Sequence, residues 1–240
     1  MGGMLRVATF NLHACVGDDG VLDVERAARD IGRTGASFLA LQELDRGLVR
    51  SGRIDQPAEI ARLTGHDVRF FPTLGRGRGD YGFAVAATPA ISEETFVELP
   101  RPGDEEPRGA AVVVWRQITL IATHLAWQRQ VAALQVQALA DLAATATPPV
   151  VVLGDLNLRR ASLAPLLRLG FHAGRRVGTY KSPGVRSQID YILAGPGLQL
   201  RGLWAQESRA SDHLPLVADL RSSFPEGRPD PNLRPQPPPD

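Results

Sequence analysis

The chain has 240 residues, is 43% hydrophobic and carries a formal net charge of only +1. Such a chain can bury one substantial core, and its composition excludes both a body that is disordered throughout and a molecule that attracts polyanions by overall charge. Cys15 stands alone, which excludes an intramolecular disulfide and a cysteine-rich zinc site. From the start, residues 5–10 read as a short buried strand, and residues 23–33 follow with Val24, Ala27, Ala28 and Ile31 on one helical face. Residues 38–41 form the next strand, residues 57–63 a helix ending near Gly65, and residues 75–79 a glycine- and arginine-rich flexible loop before the apolar run 83–87. Three antiparallel strands are expected over residues 96–99, 110–115 and 118–123, the last two turning through Arg116-Gln117. A helix over 131–144 stops at Pro148-Pro149, and an all-apolar strand follows at 150–153. A short helix over 163–169 is capped by Gly170, and strands over 189–193, 198–204 and 216–220 complete the body.

Helices and strands mix without the regular alternation of a doubly wound parallel sheet, so two packed sheets flanked by helices fit best. One domain is expected over residues 1–221. Residues 222–240 are proline-rich, lack the apolar density for a core and read as a disordered tail. The N-terminus has no apolar signal region, Arg6 stands where a myristoylation pattern needs Ser or Thr, and no apolar stretch is long enough to cross a membrane. A soluble, cytoplasmic protein is the expectation. All basic residues except Lys181 are arginine, a bias that suits bidentate phosphate recognition and equally reflects codon usage.

Five short motifs recur at the ends of apolar runs: Thr9-Phe10-Asn11-Leu12-His13, Leu41-Gln42-Glu43, Thr123-His124-Leu125, Gly154-Asp155-Leu156-Asn157 and Ser211-Asp212-His213-Leu214-Pro215. Metal-assisted phosphoester hydrolysis needs ligands and acid-base groups that approach one phosphorus from several directions, which is what several strand ends supply. Glu43 would offer an oxygen ligand for a hard cation such as Mg2+, although read alone it is also an ordinary solvated acid. Asp155 and Asn157 are spaced i, i+2, so they face the same way in an extended segment and can serve one attacking water and one phosphoryl oxygen. Gly-Asp-x-Asn is turn chemistry too.

His213 can protonate a leaving oxygen or stabilise charge near neutral pH, with Asp190, which also opens a strand, as the acid that orients it. Ser211 does not make a serine triad, because three adjacent residues cannot converge on one another. His124 could donate to a phosphate oxygen. His13 is either pocket wall or ligand, and as a ligand would shift the preferred metal towards manganese or zinc. Arg108, ahead of a strand, could clamp a phosphate bidentately or be a surface arginine. Tyr81, Trp127 and Tyr180 flank candidate site segments and could stack on a base or line a head-group pocket, but aromatic residues beside strands are more often core, and Trp127 alone is kept as a specificity probe.

In order and spacing, Glu43, Asp155-x-Asn157, Asp190 and Asp212-His213, with Asn11 on the first strand, resemble the endonuclease/exonuclease/phosphatase superfamily over about residues 6–220. Leu22-Asp23 with Arg26, Gln42-Glu43-Leu44-Asp45-Arg46, and Arg50-Ser51 with Asp55-Gln56 are similar to a compact bacterial group of metal-dependent hydrolases within it. The resemblance implies a DNase I-like four-layer α/β/β/α sandwich of two mixed sheets, with the site in a cleft where the sheets open together. It implies Glu43 as principal metal ligand with Asn11 and Asp212 nearby, Asp155 and Asn157 handling the water, Asp190 orienting His213, and His124 on the scissile phosphate. Mg2+ or Mn2+ is expected as cofactor, His13 as a further metal ligand, and Arg108, Asn11 and Trp127 towards substrate. Tyr81-Gly82-Phe83-Ala84 stands where many relatives have Gly-Asn-Ala, and His13 where abasic-site endonucleases carry an acid.

The expected activity is hydrolysis of a phosphodiester by in-line attack of an activated water. A nucleic acid or a phospholipid head group would serve as substrate, and a phosphomonoesterase is the rival within the class. A non-catalytic phosphate-binding or scaffold protein is the rival outside it. No protein partner is expected.

Overall fold

The computed structural model describes residues 4–182 and 185–222. Thirteen strands and four α-helices are present among them: β1 (Met4–Asn11), α1 (Val24–Thr34), β2 (Phe38–Arg46), α2 (Gln56–Thr64), β3 (Asp67–Arg76), β4 (Gly79–Ala87), β5 (Glu93–Glu98), β6 (Gly109–Trp115), β7 (Ile118–His124), α3 (Arg129–Thr145), β8 (Val150–Asp155), α4 (Ala164–Arg168), β9 (Tyr180–Ser182), β10 (Val185–Ser187), β11 (Asp190–Ala194), β12 (Leu198–Ala205) and β13 (Leu216–Ser222). One sheet runs β12-β13-β1-β2-β4-β3, the other β11-β8-β7-β6-β5, and β9 and β10 form a separate hairpin.

Strand periodicity explains the four layers. Along β1, Val7 points into the apolar cluster between the sheets while Ala8 and Phe10 join the cluster under α1. Along β7, Leu120 and Ala122 face the space between the sheets while Ile121 meets Val136 and Leu139 of α3. Both faces of the central strands are therefore covered, which is why they read as continuous apolar runs rather than alternating ones. The order is α1 and α2, six-stranded sheet, five-stranded sheet, α3 and α4.

Local chemistry sets the helix ends. Asp23 caps α1 by accepting from the Arg26 amide at 2.8 Å, and Gly35 closes it in the left-handed region at φ 62°. Asp55 caps α2 through the Ala58 amide at 3.0 Å, and Gly65 ends it.

Three features depart from the sequence reading. The stretch 75–79 is not a flexible loop: β3 extends to Arg76 and β4 begins at Gly79, leaving only Gly77 and Arg78 at a tight turn, with Gly77 at φ 69°. The helix expected over 163–169 is a 3-10 turn, Arg160–Leu163, running into the five-residue α4. The strands β3, β9 and β10 had no counterpart in the sequence pattern. Beyond Ser222, the proline-rich stretch read as a tail lies outside the described residues. Among the described residues no helix is long and apolar enough to cross a membrane.

Candidate active site

Two parallel strand pairs aim their ends at one place. β1 and β2 pair in parallel up to Asn11 opposite Gln42, and β7 and β8 pair in parallel with His124 opposite Asp155. β11 runs antiparallel to β8 and sets Asp190 opposite Asp155, so His124, Asp155 and Asp190 form one row across the five-stranded sheet. β1 and β8 pack across the interface between the sheets, which brings Asn11 to Asp155. The Asn11 amide donates to Glu43 Oε1 at 2.9 Å and to Asp155 Oδ2 at 3.0 Å, while its Oδ1 accepts from the His13 amide at 3.1 Å.

The backbone is specialised where these residues stand. β2 bulges against β4, with Gln42 and Glu43 opposite Phe83, and Glu43 sits at φ 57°. A bulge re-aims a side chain that regular alternation would send elsewhere. Asn157, at φ 51°, follows a turn in which its amide donates to Asp155 Oδ1 at 3.0 Å. Gly154 has no room for a side chain, since a Cβ there would lie 2.0 Å from the Thr123 carbonyl oxygen. Left-handed non-glycine residues are unfavourable by about 1–2 kcal/mol each and cluster where function requires them.

Hydrogen bonding sets the state of the two histidines. Arg108 Nη1 lies 2.8 Å from His124 Nδ1, and Arg108 is only 7% exposed. A guanidinium is always a donor, so Nδ1 must accept and the proton of the neutral ring sits on Nε2. Burial, then the charges of Arg108 and His213, hold His124 well below the ordinary histidine range. Its Nε2–H faces Asp155 Oδ2 at 3.7 Å, Glu43 Oε1 at 3.9 Å and Asn157 Nδ2 at 3.4 Å. The Asn157 amide is oriented by donating to the Leu125 carbonyl at 3.0 Å. With this tautomer two N–H groups face the same space, where an acceptor atom would take both.

His213 is the opposite case. Its Nδ1 donates to Asp190 Oδ2 at 2.9 Å, and that oxygen also accepts from Thr179 Oγ1 at 2.5 Å. Burial alone would lower the imidazole, but the charge and hydrogen bond of Asp190, with Asp155 and Asp212, raise it to about 10. His213 Nε2 lies 3.8 Å from Asp155 Oδ2, and the Tyr180 ring packs on the imidazole with centroids 5.0 Å apart. Burial and the neighbouring Asp190 raise Asp155 to about 7, against the opposing pull of His213, Asn11 and the Asn157 amide.

Of the sequence-derived candidates, Asn11, Glu43, His124, Asp155, Asn157, Asp190 and His213 come together. His13 and Asp212 meet each other at the rim, Nδ1 to Oδ1 3.7 Å, with side chains 51% and 38% exposed. Arg108 is not free to clamp a phosphate: Nη1 is on His124 and Nη2 on Glu106 at 3.2 Å. Trp127 stands 72% exposed beyond β7 and has no hydrogen bond or ring contact to the cluster among the described residues. Thr179 was missed as a site residue, and Tyr180 reads as one of the aromatics more often found in a core. β9 is only three residues long, too short to show a period, and Gly178-Thr179-Tyr180 carries no motif. Ser211 Oγ accepts from the His213 amide at 3.1 Å, a turn role that agrees with the absence of a serine triad.

Negative charge is in excess here. Asp155, Asp190 and His213 place ligand atoms within 4.8 Å of one another, Asp190 Oδ1 is buried without a partner, and Asp155 is raised by its neighbour's charge. The carboxylate oxygens of Glu43 and Asp155, held on either side of the Asn11 amide, are donors of the kind that fit a hard divalent cation.

A family model described as Endonuclease/Exonuclease/phosphatase family matches residues 8–213. The chain belongs to this family. Among solved structures, an endonuclease/exonuclease/phosphatase protein from Beutenbergia cavernae DSM 12333 is 22% identical, with TM-score 0.73 over 91% of this chain and 72% of that one. The mannosyl-6-phosphatase of Bacteroides thetaiotaomicron VPI-5482 is 16% identical, with TM-score 0.72 over 90% and 99%. Truncated TDP2 of Caenorhabditis elegans is 18% identical, with TM-score 0.66 over 91% and 98%. At these identities the likeness is one of fold, and the four-layer architecture expected of the endonuclease/exonuclease/phosphatase family is the one observed. No curated protein matches the chain in sequence. Family members hydrolyse phosphoester bonds and typically depend on a divalent metal.

Proposed function

We propose that this protein is a Mg2+- or Mn2+-dependent phosphodiesterase that acts by in-line attack of water. The observation that carries the reading is the convergence of His124 Nε2–H, the Asn157 amide and His213 Nε2 around Asp155. Glu43 would hold the cation, with Asn11, Asp212 and His13 as the further candidates, and it would supply positive charge to the phosphoryl and leaving oxygens.

The protein's own groups then divide the work. Asp155, with a carboxyl near neutrality, takes the proton of the attacking water, because a base works best with its pKa near the working pH. Asn157 and His124 donate to a phosphoryl oxygen, worth about a hundredfold per preorganised donor. His213, charged and fixed by Asp190, stabilises charge on the phosphoryl group. Arg108 acts through His124 rather than on the phosphate. Residues 1–221 form the catalytic unit in this reading.

The test is turnover of a chromogenic phosphodiester and of its monoester analogue by purified protein, with Mg2+, with Mn2+ and with a chelator. Cleavage of the diester that chelation abolishes and metal restores is the expected result. Preference for the monoester would redirect the reading to a phosphatase, as in the mannosyl-6-phosphatase with this fold. No turnover of either, with native folding retained, would favour a binding role.

A further inference from the structure

Two loops beside the cleft carry an unneutralised group of arginines. Arg159 and Arg160 follow Asn157 by two and three residues, and Arg175 and Arg176 precede Thr179 by four and three. Asn157 faces His124 and Thr179 holds Asp190, so both loops spring directly from the site. The Arg160 Nη1 donates to the Gly174 carbonyl at 2.6 Å, which ties one loop to the other. The Arg175 Nε donates to the Leu203 carbonyl at 3.0 Å and fixes the second loop to the six-stranded sheet. The Tyr191 hydroxyl donates to the Leu158 carbonyl at 3.0 Å, and its phenol lies within the field of both Arg160 and Arg176.

All four arginines are exposed, and none has an ion pair among the described residues. Elsewhere Arg6, Arg26, Arg33, Arg46, Arg50 and Arg62 each bind a carboxylate, and single arginines such as Arg53 and Arg116 do not; what sets these four apart is that they stand on two loops tied to each other beside the site. Two of the four are tethered to backbone carbonyls, while the side chains of Arg159 and Arg176 have no hydrogen bond among the described residues. With a net charge of +1 for the whole chain, four exposed guanidinium groups without ion pairs on two loops tied together make a local positive field.

We infer that these loops form a second phosphate subsite, which takes a phosphate of the same substrate beside the scissile one. The inference rests on the proposed phosphodiesterase activity and narrows its substrate to one with at least two phosphates. Reach is sufficient: two residues of extended chain span at most about 7 Å, so an arginine at position 159 lies one side chain from the group at Asn157. Guanidinium groups bind phosphate bidentately, and tethering lowers the conformational freedom lost on binding. The neighbouring phosphate can come from the next nucleotide of a single strand or from a second ester on a small molecule.

The experiment uses the full chain, and the double variant Arg159→Ser, Arg176→Ser removes two guanidinium groups that anchor nothing. Arg116→Asn, in the turn between β6 and β7 at the opposite end of β7 from His124, controls for charge. Substrates are a ten-residue single-stranded oligonucleotide and the chromogenic diester, which has one phosphate, with a sugar bisphosphate as competitor. The double variant should raise KM for the oligonucleotide by about tenfold or more and make its salt dependence shallower by about 1.4 in log-log slope, two contacts at about 0.7 each. It should change kcat/KM on the chromogenic diester less than about twofold.

If the bisphosphate competes more weakly with the double variant while oligonucleotide KM is unchanged, the subsite stands and its source is a small molecule. Equal losses on both substrates, no loss on either phosphorylated ligand, or a loss seen only in binding to anionic vesicles would overturn it. If the wild type turns over nothing, fluorescence-anisotropy binding of the oligonucleotide, competed by the bisphosphate, reads the subsite without the reaction. Binding weakened about tenfold by the double variant supports the subsite even then, and unchanged binding overturns it.

Discussion

At the scale of single residues, Asp155 holds the main tension. Its carboxyl is buried beside Asp190 and is raised to about 7, so the folded state binds a proton that the unfolded state has released above about pH 4. Stability therefore falls as pH rises from about 4 to 7, and above pH 7 the ionised Asp155 remains a burden on the fold. Asp155→Asn should raise Tm at pH 8 by at least about 2 °C in a scanning melt while abolishing turnover, the trade expected where an active group is poorly accommodated. An unchanged or lower Tm would contradict that balance. His213 has the other sign. Its folded pKa is raised to about 10, so the stability it contributes is fully present below about pH 6.5 and is lost as pH rises towards 10. Asp190→Asn removes the group that raises it, and the decline of Tm between pH 8 and 10 should be visibly flatter in that variant than in wild type.

Elements position these residues by features that differ in how plainly the sequence displays them. The acids and histidines of the site were legible because the apolar runs of β1, β7 and β8 stop at polar motifs, and because the apolar run of β2 gives way to Gln42-Glu43, although β2 itself continues to Arg46 instead of ending at residue 41. The bulge at Gln42 and Glu43 was not, since nothing in Leu41-Gln42-Glu43 signals an extra residue whose opposite is Phe83. Arg108 looked like a phosphate clamp because its residue type and place fit one, yet it is buried and bound to His124. The hairpin of β9 and β10 was invisible because three-residue strands have no period. Gly154 belongs to this scale too. At φ 151° and with the Thr123 carbonyl 2.0 Å from any Cβ, Gly154→Ala must push β8 away from β7 and separate Asp155 from His124. A loss of about 3 kcal/mol in urea unfolding is expected. A loss below about 1 kcal/mol would show that the two strands can part cheaply.

Taken as a whole, the molecule is a four-layer sandwich of two packed sheets, and the ends of β1, β7, β8 and β11 with the bulge of β2 bring carboxylates and histidines together at one edge of that packing. The layers and the order of the site residues could be read in one dimension, because both-face burial and strand-end polarity are written in local sequence. The pairing of Asn11 with Asp155 across 144 positions, the tautomer of His124 and the contact of Tyr180 with His213 could not, because they arise only when the sheets pack. The central claim is that this packing assembles a phosphoester hydrolase with Asp155 as base and His213 as charged stabiliser. Its most direct test is kcat/KM for a chromogenic phosphodiester with Mg2+ at pH 8, for wild type, Asp155→Asn and His213→Ala, each shown to be folded by circular dichroism. The account predicts metal-dependent turnover in wild type and a fall of at least about a hundredfold in each variant. Turnover close to wild type in either folded variant would contradict it.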